Sequence, residues 1–139
     1  MNQIFNPFLP LNEYIPDGVP HVFGDRVYVY GSHDKENGDH FCMLDYVTYS
    51  APCNNLKEWK YEGVIYKAKN DPLYPKYKYM FAPDVVRGND GKYYLYYHAT
   101  GQGESYRIGV AVADNPLGPF VKHGNAPILD LTFGDGNDR

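Results

Sequence analysis

The chain has 139 residues, 43% of them hydrophobic, 22% charged and 17% aromatic, and a formal net charge of −4. The length suits one domain of the usual ~100–200 residues, and the apolar share excludes wholesale disorder. No Lys/Arg run and no apolar stretch near the ~18 residues of a membrane span is present, which disfavours nucleic-acid and membrane partners.

Met1 to Pro7 lacks the basic-then-apolar pattern of a secretory signal. A cytoplasmic location is therefore expected, with secretion open if a leader precedes Met1. Cys42 and Cys53 are too few for a disulfide scaffold, and no His-x3-His completes a zinc site with them, so they read as free thiols.

In chain order, Pro16-Asp17 opens a first strand, the turn Phe23-Gly24-Asp25 follows, and Arg26-Val27-Tyr28-Val29-Tyr30-Gly31 alternates as a second strand. Tyr46 to Pro52 reads as a third strand, and Leu56 to Gly63, containing Trp59 as a packing anchor, as a fourth. Lys67 to Phe81 reads as an irregular loop rich in Lys, Tyr and Pro, whose Tyr77, Tyr79 and Phe81 are binding candidates. The pattern then recurs. Pro83-Asp84 opens a strand, Gly88 to Gly91 turns, Lys92 to His98 alternates, Ile108 to Ala113 is a small-residue strand, and Leu117 to Val121 a fourth. The tyrosines between Tyr93 and Tyr97 are expected to lie mostly in the core between the two units.

Four antiparallel strands per unit make a blade of a β-propeller, whose usual repeat is about 40–50 residues. The fold class is therefore all-β, with blade one at about 15–67 and blade two at about 82–128. A propeller needs about four to eight blades, so the chain reads as the N-terminal part of a larger domain, with 130–139 turn-like before a third blade. The alternative is a small two-sheet sandwich.

Strands of a blade alternate in direction, so the openings of the two innermost strands share a face with the ends of the second strands. This places Asp17 and Asp84 together at one mouth of the central channel, with His33, His98, Tyr79 and Phe81 around them. Carboxylates for acid/base work and rings for the apolar faces of sugars are the composition of a carbohydrate site. Against this, an Asp at a strand opening is often only a turn cap, and His33 and His98 could be ordinary rim residues.

The motifs Asn6-Pro7-Phe8-Leu9-Pro10, Pro16-Asp17-Gly18, Gly24 to Ser32, Leu56-Lys57-Glu58-Trp59, Phe81-Ala82-Pro83-Asp84-Val85, Gly91 to Tyr97, Ile108 to Val112 and Gly118-Pro119-Phe120 together resemble glycoside hydrolase family 43 across the whole chain. The resemblance implies a five-bladed propeller, of which this chain holds about the first two blades. It also implies inverting hydrolysis of arabinofuranosyl or xylosyl linkages in plant polysaccharides such as arabinoxylan or arabinan, or in xylo-oligosaccharides. It implies Asp17 as general base and Asp84 as the carboxylate that tunes the acid's pKa and orients the sugar. His33, Tyr79, Phe81 and His98 are the substrate-binding candidates. The general acid, a Glu, is expected beyond Arg139, because Glu58, Glu62 and Glu104 lack the family context. The 139 residues alone are then expected to be inactive. No cofactor is required, although some members hold a cation in the channel through later blades. The rival readings are a glycan-binding propeller without catalysis, a protein-interaction propeller, and a related family acting on fructans, whose Asn-Asp-Pro-Asn-Gly type of motif is absent around Asp17.

Overall fold

The computed structural model describes residues 6–72, 79–100 and 106–131. Tyr77 and Glu104 lie outside them. The first sheet contains β1 (Val19–Phe23), β2 (Arg26–Tyr30), β3 (Tyr46–Pro52) and β4 (Lys60–Tyr66) in sequence order, antiparallel throughout. A short 3-10 turn (Ala68–Asn70) leads out of it. The second sheet runs β5 (Tyr79–Arg87), β6 (Tyr93–Thr100), β7 (Tyr106–Ala113) and β8 (Val121–Lys122), with β9 (Leu129–Leu131) also on β7. Gly24 and Gly91 take positive φ at the β1–β2 and β5–β6 turns, conformations that cost glycine no Cβ clash.

Three expectations change. The innermost strand of the second sheet begins at Tyr79 rather than at Pro83, so Tyr79 and Phe81 are strand residues and Asp84 sits mid-strand. A bulge between Phe81 and Asp84 makes this possible, because Pro83 has no N–H to give the ladder and is tolerated where pairing is interrupted. The fourth strand is split: β8 pairs with Ala111 and Val112, and β9 with Tyr106 to Ile108, so Leu129–Leu131 is strand rather than turn. Lys122 Nζ donates to the carbonyls of His123 and Ala126 in the segment between them.

The core lies between the sheets. Tyr28, Tyr30, Tyr46, Ile65 and Tyr66 of the first pack with Met80, Val85, Leu95, Tyr97, Ala99, Ala111 and Phe120 of the second. In β6, Tyr93, Leu95, Tyr97 and Ala99 share the inward face, while Tyr96 on the opposite face is exposed. Only Tyr97 of the β6 tyrosines is therefore fully in the core, with Tyr93 packed at its edge.

Buried hydroxyls need partners, and the interface supplies them. Tyr30 Oη donates to Pro116 O at 2.8 Å and Tyr46 Oη to Phe81 O at 2.7 Å. Tyr66 and Tyr97 both donate to the buried carboxylate of Asp71. Gly109 faces this cluster, where a Cβ would lie 2.3 Å from Tyr97 Cζ. Phe120 N–H donates to Ile65 O across the two sheets at 2.9 Å. The Trp59 ring lies against Phe8 at 4.9 Å, which ties the N-terminal segment to the outer side of the first sheet.

Candidate active site

Asp17 precedes β1 with φ 56°, a left-handed conformation that Asp tolerates better than most residues, and its side chain is exposed. The backbone just before it is fixed. Ser32, fully buried just beyond β2, donates its N–H to Pro16 O at 3.1 Å. Ser32 Oγ accepts the N–H of Ala82 at 2.7 Å. Ala82 also has positive φ, at 27°, and lies in the β5 bulge. One serine thus joins the segment carrying Asp17 to the opening of the second sheet.

The thiol of Cys42 lies beside the same serine. Burial pushes that thiol above its ordinary value, the Ser32 hydrogen bond opposes the shift, and the charges of Asp34 and Asp17 add to it. Cys42 is thus a buried thiol near Asp17, and nothing in the sequence marks it as part of the site.

Tyr79, Phe81 and His98 come together. Tyr79 and Phe81 share one face of β5, and His98 is opposite Phe81 in the β5–β6 register. His40, from the β2–β3 connection, extends the row: His40–Tyr79 centroids are 5.0 Å apart, Tyr79–Phe81 6.3 Å and Phe81–His98 5.3 Å. His98 is within β6 rather than beyond it, and burial holds its ring below the ordinary histidine value.

His33 does not join this row. Its Nδ1 lies 2.9 Å from Asp45 O and its Nε2 3.5 Å from Glu13 Oε2, so both ring nitrogens are turned into the fold. The Nδ1 contact ties the ring to the β2–β3 connection.

The second carboxylate, Asp84, meets the first sheet at β1. Asp84 Oδ1 lies 2.6 Å from His21 Nε2 in the middle of β1, and its side chain is 57% exposed. His21 is four residues beyond Asp17, up to roughly 13 Å along a strand at ~3.3 Å per residue. The Ser32 bridge brings Ala82 of the second sheet to the segment that carries Asp17. The bulge sets Asp84 beside His21.

Comparison with known proteins bears on this geometry. Residues 5–136 match the model of glycosyl hydrolases family 43. A xylosidase/arabinosidase of Thermoclostridium stercorarium is 50% identical over 131 residues, covering 94% of this chain and 27% of the relative. One from Bacteroides ovatus is 39% identical over 125 residues, covering 85% and 38%. The chain thus spans between about a quarter and two fifths of these relatives' lengths. Among solved structures, the GH43_1 enzyme from Xanthomonas citri complexed with xylose superposes with TM-score 0.75 at 35% identity, over 88% of this chain and 35% of that one. A beta-xylosidase/alpha-arabinofuranosidase from a compost microbial metagenome, in complex with xylotriose and calcium-free, gives TM-score 0.73 at 38% identity over 92% and 39%.

Proposed function

This chain belongs to glycosyl hydrolases family 43 and carries about the first two blades of its five-bladed propeller, and on that footing we propose that the protein hydrolyses O-glycosidic bonds of xylose- or arabinose-containing plant polysaccharides and oligosaccharides with inversion. The observation that carries the reading is the mouth formed by an exposed Asp17 on a backbone fixed by Ser32, beside the ring row of Tyr79, Phe81 and His98.

Inversion requires one carboxylate to take a proton from water while an acid about 6.5–9.5 Å away protonates the leaving oxygen. Asp17 is assigned the base: it is exposed to water, and the preceding Pro16 carbonyl is held by Ser32, which limits its wandering from the attack line. Phe81 and Tyr79 offer ring faces to the apolar side of a pentose, and His98 orients Phe81 from the next strand. The acid is assigned to a later blade, so two blades alone would bind without turnover. Asp84, held by His21, is assigned as the carboxylate that tunes the acid's pKa and orients the sugar.

The compost enzyme is named in a calcium-free form. Among the described residues no three His, Cys, Asp or Glu side chains are grouped to hold a metal ion.

The test is the anomeric configuration of the sugar first released by the full-length protein from an aryl β-xyloside and an aryl α-arabinofuranoside, followed by proton NMR. Release of the inverted anomer supports the reading. The retained anomer contradicts it, and binding without release favours a glycan-binding propeller.

A further inference from the structure

The β2–β3 connection is longer than a hairpin needs, and it is built rather than slack. Asp34 N–H donates to Tyr14 O at 2.9 Å, Leu44 N–H donates to His33 O at 3.1 Å, and the Asp34 carboxylate accepts Cys42 N–H at 2.6 Å. These bonds close the segment 34–42 into a compact loop. Two ties fix it to the second sheet: Met80 N–H donates to Cys42 O at 3.2 Å, and the His40 ring lies on Tyr79.

The loop and Tyr14 enclose an open cavity of about 580 Å3. Its walls mix rings (Tyr14, His40, Phe41) with Asn37 and the charged side chains of Asp34, Lys35, Glu36 and Asp39. Phe41 is 74% exposed, a large apolar ring held at the surface with no packing role to explain it. The acidic residues here do not group as metal ligands. Rings for C–H faces with amide and carboxylate groups for hydroxyls fit a neutral sugar better than a cation or an anion.

The cavity is joined to the Asp17 mouth by the ring row, since His40 belongs to both. Only one sugar residue can sit at the scissile position beside Asp17. We infer that the 34–41 cavity binds pentose residues further along the oligosaccharide chain, with Phe41 and His40 as the stacking surfaces that set chain-length preference. This inference rests on the hydrolase reading for its kinetic test and on binding alone for its second test.

In the full-length protein, kcat/KM is compared for xylotriose and an aryl β-xyloside in the wild type, Phe41→Ala and His40→Ala, with thermal midpoints recorded. The expected result is a fall of about tenfold in the xylotriose-to-aryl ratio in each folded variant, the loss of one good contact. An unchanged ratio in both overturns the inference while leaving the hydrolase reading intact. If the wild type cleaves neither these substrates nor an aryl α-arabinofuranoside, the hydrolase reading fails, and calorimetry decides the cavity. Xylotriose binding tighter than xylose, with the difference lost in Phe41→Ala, supports it. Equal or absent binding of the two sugars overturns it.

Discussion

Ser32 Oγ and the backbone N–H of Ala82 are 2.7 Å apart, although 50 residues separate them in the chain. The same residue's N–H holds Pro16 O, so a single buried serine sets the spacing between the loop of Asp17 and the bulge beside Phe81. Two backbone segments with positive φ, at Asp17 and Ala82, meet through it.

Ser32→Ala removes the acceptor and leaves the Ala82 N–H without its partner. Losing one side of a buried hydrogen bond costs about 1–3 kcal/mol. A urea titration is expected to show a lower midpoint with an unchanged slope. A midpoint equal to the wild type's would show that the contact does not hold the two sheets together.

His21→Ala offers the contrast. The His21–Asp84 pair is partly exposed, and pairs of that kind contribute about 0–1 kcal/mol. The same titration is expected to move far less than for Ser32→Ala. An equal or larger shift would make His21 a structural pin.

Gly109→Ala places a methyl 2.3 Å from Tyr97 Cζ, and Tyr97 cannot yield without giving up Asp71. Overpacking of this sort costs about 1–3 kcal/mol. Thermal unfolding should register the loss, and Gly109→Ala combined with Tyr97→Phe should not recover it, because the ring carbon still collides.

The alkaline limb of stability follows from the buried tyrosines. Burial, with the charge of Glu13 adding, pushes Tyr49 up to about 12, and burial pushes Tyr30, Tyr66 and Tyr97 higher still. A raised folded-state value means the folded chain keeps its proton after the unfolded chain, at about pH 10, has lost it. The stabilisation is complete below about pH 10 and is lost as pH rises through the folded-state values. Denaturant midpoints should be flat up to pH 10 and fall between pH 10 and 12, less steeply in Tyr49→Phe. A limb unaltered in that variant would remove Tyr49 from the explanation.

Much of the fold was legible because strand alternation and turn chemistry are local. Tyr46 to Pro52, Arg26 to Tyr30 and the glycine turns needed no knowledge of their neighbours. Ala82-Pro83 misled for a local reason too: proline looks like the start of a strand, whereas a bulge lets it sit inside one. The split of the last strand into β8 and β9 depends on which half of β7 each segment finds, which no short pattern encodes.

The site was legible in part. Tyr79, Phe81 and His98 were identifiable as rings near one strand end, and the structure joins them. His21, Ser32, His40 and Cys42 were not, because each acquires its role only when the two sheets dock. His33 carried the residue type of a ligand-binding group, and its Nδ1 contacts the loop backbone at Asp45.

Asp17 as general base is tested most directly by Asp17→Asn, because Asn also tolerates the left-handed backbone that Asp17 adopts. In the full-length protein, kcat on an aryl β-xyloside is expected to fall by about a hundred- to ten-thousand-fold, with the thermal midpoint retained. Turnover within a few-fold of the wild type in the folded variant would contradict the assignment.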